Sequence, residues 1–126
     1  VNDDYETAHQ ASLEMQSVLQ SISSELFTGA SHAVWMSTSM NLSSHIKSAS
    51  KAKSIRELRN AFKPMSTIMI DLINVIGPID VPLYIESCPM ADNNTGADWL
   101  SAEPEIRNPY FGASMLRCGE LKGAVQ

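Results

Sequence analysis

Residues 54–76, SIRELRNAFKPMSTIMIDLINVI, carry the strongest periodic signal in the chain. Leu58, Phe62, Met65, Met69, Leu72 and Ile76 alternate by four and three residues, the spacing of a helix face packed against near-antiparallel partners. Ser54 and Glu57 form a capping box ahead of this face, where hydroxyl and carboxylate each satisfy an exposed backbone N–H. Pro64 removes one backbone hydrogen bond inside the run and predicts a kink or short break. Gly77-Pro78 ends it.

Toward the N-terminus, a second helix is expected from Ala30 or Ser31 to Ala49. Its apolar stripe is Trp35, Leu42, Ile46 and Ala49, and serines line the other faces, so packing rather than propensity must stabilise it. Ser48–Lys53 is a short basic link. A first helix is expected from Tyr5 to about Phe27. There Ala8, Met15 and Ile22 recur every seven residues, Ala11, Val18, Leu19 and Leu26 fill the offset positions, and Leu13 lies off that face. Asp3 and Asp4 suit its N-terminus, and Thr28-Gly29 is expected to stop it. Three helices on short connections predict an antiparallel up-down-up bundle, hence a mainly all-α fold.

The C-terminal third loses this periodicity. Val81–Glu86 (VPLYIE) is short, apolar and β-favouring, fit for a brief strand leading to Cys88. Asp92–Gly96 (DNNTG) reads as a turn or loop, and Trp99-Leu100 as a plug into the bundle. Asn108-Pro109 predicts an N-cap and first turn of a short helix that Gly119 closes just after Cys118. The expectation is three long helices plus an irregular segment with a short helix and up to two short strands. At 126 residues the whole chain, 1–126, is read as one domain, with a scaffold at about 5–77 and a Cys/Met segment at about 81–122.

Composition narrows the function. With 44% hydrophobic and 18% charged residues and a net charge of −5, the chain is globular and offers no basic face for nucleic acid. No apolar run approaches the ~18–20 residues that span a bilayer, so no membrane insertion is expected. A chain that starts at Val1 reads as a mature form or a piece, which makes the missing export signal uninformative. There is no GxSxG, no Gly-rich phosphate loop and no HExxH, and neither cysteine has a histidine close in sequence. The reading is therefore not an enzyme.

The chemistry-bearing residues are sulfurs. Cys88 and Met90 are two apart across Pro89, and on an extended backbone they point to one side. Met115 and Cys118 are three apart on the expected short helix and share a face there. Brought together, Cys88, Met90, Met115 and Cys118 make a three- or four-sulfur site suited to Cu(I) or Ag(I), which prefer thiolate and thioether donors. Two alternatives stay open. Cys88 and Cys118 form a structural disulfide, closing a loop for roughly 3–4 kcal/mol, or they remain buried thiols. One pair can also serve oxidised and metal-bound forms in turn. Zinc fits less well, because thioether is a poor zinc ligand and the segment holds no His.

His32, Met36 and Met40, four apart on the second helix, are an accessory soft-metal ladder, with core packing beside a solvated His as the competing reading. His45 does not join that face, and His9 reads as a surface residue. Met65 and Met69 read as packing on the core seam. Trp99, Tyr110 and Phe111 read as aromatics pinning the loop to the bundle, ahead of a cation–π wall over an ion. Asp92–Gly96 lacks the acidic spacing of a calcium loop.

The C-terminal residues also resemble a known family. CPMA at Cys88–Ala91, Gly96 followed by Trp99-Leu100-Ser101, NPYFG at Asn108–Gly112, then Met115 and Cys118-Gly119 resemble an uncharacterised bacterial domain. That domain occurs at the C-terminus of periplasmic adaptor subunits of heavy-metal RND efflux pumps, and as small exported proteins. Trp35 and the Arg59–Leu72 segment, with Phe62, Ser66 and Met69, look similar to the family's helices. The resemblance implies a periplasmic or exported domain associated with copper or silver, with an efflux adaptor or pump component as partner. The expected function is Cu(I)/Ag(I) binding that buffers copper or delivers it to efflux. The alternative is a non-enzymatic structural or protein-interaction module with a Cys88–Cys118 disulfide.

Overall fold

A computed structural model describes residues 1–77 and 80–125. Three long helices are present: α1 (Tyr5–Ser21), α2 (Gly29–Lys51) and α3 (Ile55–Ile76). The stripe read on α2 is buried in full at Trp35, Leu42, Ile46 and Ala49. Leu42, Ile46 and Ala49 meet Leu58, Ala61 and Met65 of α3, and Tyr5, Ala8, Met15 and Leu19 of α1 pack against them. Met65 is core packing, as expected. Among the described residues no helix is long and apolar enough to cross a membrane.

Helix ends show where local signals were overruled. α1 stops at Ser21, short of Phe27. Ser23 accepts the Glu25 N–H at 3.3 Å and opens a separate 3-10 turn at Ser24–Leu26. Behind that turn the Phe27 ring stacks on Trp35 with centroids 4.7 Å apart, which requires the chain to bend back early. Val18 and Leu26, expected on the apolar face, are exposed. Gly29, at φ +57, opens α2 rather than closing α1.

Asp4 caps α1 by accepting the Thr7 N–H at 3.1 Å. The capping box of α3 is half as expected. Ser54 accepts the Glu57 N–H at 3.2 Å, but the Glu57 carboxylate takes the Lys53 N–H at 2.8 Å. Pro64 lies inside a continuous α3, so the short break, one of the two outcomes expected there, does not occur. Burial of Leu58, Met65 and Leu72 on both sides of it outweighs one missing hydrogen bond. Gly77, at φ +94, ends α3, and Pro78 lies outside the described residues.

The C-terminal segment contains a three-stranded antiparallel sheet, β1 (Leu83–Cys88), β2 (Ala97–Ser101) and β3 (Glu120–Val125), in the order β2-β1-β3. β2 packs on α3. Three strands stand where up to two were expected. Between β1 and β2 the backbone makes one left-handed turn at Asp92, Asn93 and Asn94 (φ 50, 56 and 62), a conformation Asp and Asn tolerate best among non-glycine residues. Lys63 Nζ on α3 donates to the Asp92 carboxylate at 2.6 Å and ties that turn to the helices.

The short helix expected over Pro109–Cys118 does not form. Asn108 does cap, its Oδ1 accepting the Tyr110 and Phe111 N–H groups at 2.8 and 3.2 Å. Gly112 then turns to φ +55, and only a 3-10 turn at Gly112–Ser114 follows. A Cβ at Gly112 would run into the Asp3 carboxylate.

Candidate functional site

Strand alternation points Glu86 and Cys88 to one face of β1, opposite Trp99 and Ala97 of β2. With Ala91 and Tyr110, the residues Cys88, Ala97 and Trp99 make a second buried cluster, against which Phe62 of α3, Ile106, Phe111 and Cys118 pack. Tyr110 is the hinge of this cluster. Its ring lies 5.7 Å from that of Phe62 and edge-on to Trp99 at 6.0 Å, both within the range of favourable aromatic pairs. These aromatics pin the loop to α3 and β2.

Two anchors then deliver Cys118 to Cys88. The fully buried Asn108 donates from Nδ2 to the Cys118 carbonyl at 2.8 Å. One residue on, Gly119 (φ +140) presses against β1 so closely that a Cβ would sit 2.7 Å from the Ser87 carbonyl oxygen. The result is a Cys88 Sγ to Cys118 Sγ separation of 2.7 Å. The two sulfurs are not joined in this structure; Cys88 is buried and Cys118 partly exposed. Hydrogen bonding to Cys88, and burial, hold the Cys118 thiol above the usual thiol range.

The methionines behave differently. Met90 follows Pro89 at the tight turn after β1 and is exposed, as is Met115 after the 3-10 turn. Neither belongs to the cluster around Cys88. With no helix there, Met115 and Cys118 share a single turn instead of a face, the Cys118 N–H donating to the Met115 carbonyl at 3.0 Å. The structure thus unites the two cysteines and leaves the two thioethers at the surface. Among the described residues no group of three His, Cys, Asp or Glu side chains is placed to hold a metal ion.

His32, Met36 and Met40 are all exposed on α2. His9 corrects its surface reading: Nε2 lies 2.7 Å from the Ser50 carbonyl and the ring stacks on Tyr5.

Two features went unread in the sequence. Glu86 is fully buried and accepts the Trp99 indole N–H at 2.7 Å through Oε2, while Oε1 has no protein partner. Burial raises its pKa, against the pull of that hydrogen bond. Its alternation with Cys88 was the available signal. The second is a clasp around Arg59, which donates from Nε to the Pro109 carbonyl at 2.8 Å and from Nη2 to Asp3 Oδ1 at 2.6 Å. Asp3 Oδ2 in turn accepts the Ala113 N–H at 2.8 Å. No local pattern announces partners so distant along the chain.

Residues 1–80 match a family described as "Protein of unknown function (DUF3347)". Those residues hold α1, α2 and α3, and Cys88 and Cys118 lie beyond them. No curated protein and no solved structure matches the chain.

Proposed function

We infer the function of this chain, which belongs to the DUF3347 family, from its paired thiols. It is a non-enzymatic domain that captures Cu(I) or Ag(I) between Cys88 and Cys118. The supporting observation is the contact of one buried and one partly exposed sulfur across thirty residues of chain. Two thiolates match a soft ion and neutralise its charge. Cys118 supplies the solvent-facing entry, and a bridging ion widens the pair mainly on that side. Met90 and Met115, exposed on the flanking turns, are soft donors along the approach. Capture releases the thiol protons, so affinity falls as pH falls.

The setting is periplasmic or exported, beside a heavy-metal efflux adaptor or pump component, with the domain buffering copper or delivering it. That setting rests on the resemblance of the CPMA, WLS, NPYFG and CG residues. The test is an anaerobic competition titration against a Cu(I) chelator. Wild type is expected to compete and the Cys88→Ser/Cys118→Ser variant to lose at least about a hundredfold in affinity. Equal, weak affinity in both proteins overturns the proposal.

The same sulfur contact supports a second reading, a structural or protein-interaction module fastened by a Cys88–Cys118 disulfide. An oxidant removes two electrons, two protons leave, and the S–S bond forms. Thiol counts with and without reductant separate the readings. No free thiol in native protein, with partner binding retained in the absence of metal, favours the disulfide.

A further inference from the structure

α1 meets the bundle with small residues. Ala8, Ala11 and Met15 follow one another at helical spacing, and across from the two alanines α3 offers Leu58, Phe62 and Met65. The space that the alanines leave is a half-open cavity of about 340 Å³. Close-packed interiors keep few voids, and one of this size lies in the range of small-molecule sites, roughly 300–1,000 Å³. It is more than twice the apolar cavity of about 150 Å³ that takes up benzene. Among the described residues Arg59 is the one charged side chain in the wall.

The mouth is arranged for a negative charge. Val1 and Pro109 border it, and Arg59 uses Nε on the Pro109 carbonyl and Nη2 on Asp3 Oδ1. Nη1 has no partner among the described residues, and a guanidinium can serve a second oxygen from there. A second guanidinium, Arg107, reaches the same lead-in and donates to Asn2 Oδ1 at 3.1 Å. Residues 1–3 thus set one carboxylate against two arginines, while Asp4 is taken up by Thr7 in the α1 cap. Asp3 also holds a left-handed backbone, φ 54, which a non-glycine residue adopts at a cost. Its pairing with Arg59 is open to water, at 40% and 22% exposure, so another carboxylate can compete for the guanidinium.

We propose that this cavity binds a medium-chain carboxylate, with the alkyl body between α1 and α3 and the carboxylate on Arg59. The apolar walls select the chain, and the guanidinium selects the acid over a neutral molecule of the same length. The site stands apart from the thiol pair and does not rest on its reading.

The test is a titration of the wild-type chain with decanoate, decanol and acetate, followed by calorimetry and by the Met15 and Met65 methyl resonances. One equivalent of decanoate is expected to move both methyls, decanol to bind about fivefold or more weakly, and acetate to leave them still. Ala11 is exposed, so Ala11→Leu is expected to keep the helix and to weaken decanoate about tenfold or more by occupying the cavity. Asp3→Asn removes the competing charge and is expected to tighten decanoate about two- to fivefold, leaving decanol unchanged. A purely structural Asp3 would give no such gain. Arg59→Met should erase the preference for the acid. Still methyls, a response to decanoate only once it forms micelles, or decanol bound as well as decanoate in wild type would each overturn the site, and none of these depends on a variant folding. Unaltered or weaker decanoate binding in Asp3→Asn would do the same.

Discussion

The Asn108 side chain bonds to the backbone of Cys118, Nδ2 to carbonyl oxygen at 2.8 Å, while its Oδ1 holds the N–H groups of Tyr110 and Phe111. One fully buried amide thus shapes the loop and positions the cysteine that the loop ends on.

Asn108→Ala leaves two N–H groups and a carbonyl without their partner. At about 1–3 kcal/mol for each buried group left unpaired, a loss of about 3 kcal/mol or more is expected in urea unfolding. Asn108→Asp keeps the acceptor but sets a carboxylate against the Cys118 carbonyl, and is expected to destabilise as well. In both variants Cys118 should react faster with a thiol reagent. An alanine variant within about 1 kcal/mol of wild type would mean that the amide does not hold Cys118.

Asp3 gives the fold an acid-sensitive tie. The Ala113 N–H, and then Arg59, hold its carboxyl below the usual range. The unfolded chain binds that proton more readily, near pH 3.9. The tie is therefore fully present above that value and is lost as pH falls through the lower folded pKa. Asp4 and Asp92 are shifted the same way, so the slope of stability between about pH 5 and 2 has several sources. The difference between wild type and Asp3→Asn isolates this one. The variant should melt lower at neutral pH and converge on wild type in acid; parallel curves would remove Asp3 from the account.

Gly112 lies directly beneath that carboxylate. Gly112→Ala pays for a left-handed alanine, about 1–2 kcal/mol, and also displaces Asp3. Asp3→Ala relieves the collision, so the double variant should lose less stability than the sum of the singles. Additive losses, measured by the same urea melts, would show that the two positions do not meet in solution.

The helices were legible because their signal is local. Leu58, Met65 and Leu72 repeat at the helical period, and the burial of all three follows from that spacing. What escaped depends on distant partners. β3, with the sequence ELKGAV, is largely exposed and, among the described residues, pairs with β1 alone, so its own residues carry no apolar alternation to find. α1 ends where Phe27 must reach Trp35, not where its pattern stops. At the candidate site, the meeting of Cys88 and Cys118 was anticipated from the paired motifs, and the helix meant to hold Met115 beside Cys118 was not realised. Asn108 signals a cap, but Gly112 signals its end four residues later.

Redox state should set both stability and ion capture. Closing the thirty-residue span between Cys88 and Cys118 restricts the unfolded chain and is worth roughly 3–4 kcal/mol in the chain-entropy account. Oxidised protein should therefore unfold at higher urea than reduced protein, and Cys88→Ser/Cys118→Ser should be indifferent to reductant. A disulfide has no thiolate to offer, so the oxidised form should also lose Ag(I) capture at this pair. Because Cys88 is buried, a reductant must attack first at the more accessible Cys118 sulfur, releasing Cys88 as the leaving thiolate. Mixed-disulfide trapping should then label Cys118. Labelling at Cys88 instead, or identical urea midpoints in the two redox states, would show that this pair does not bond as its contact implies.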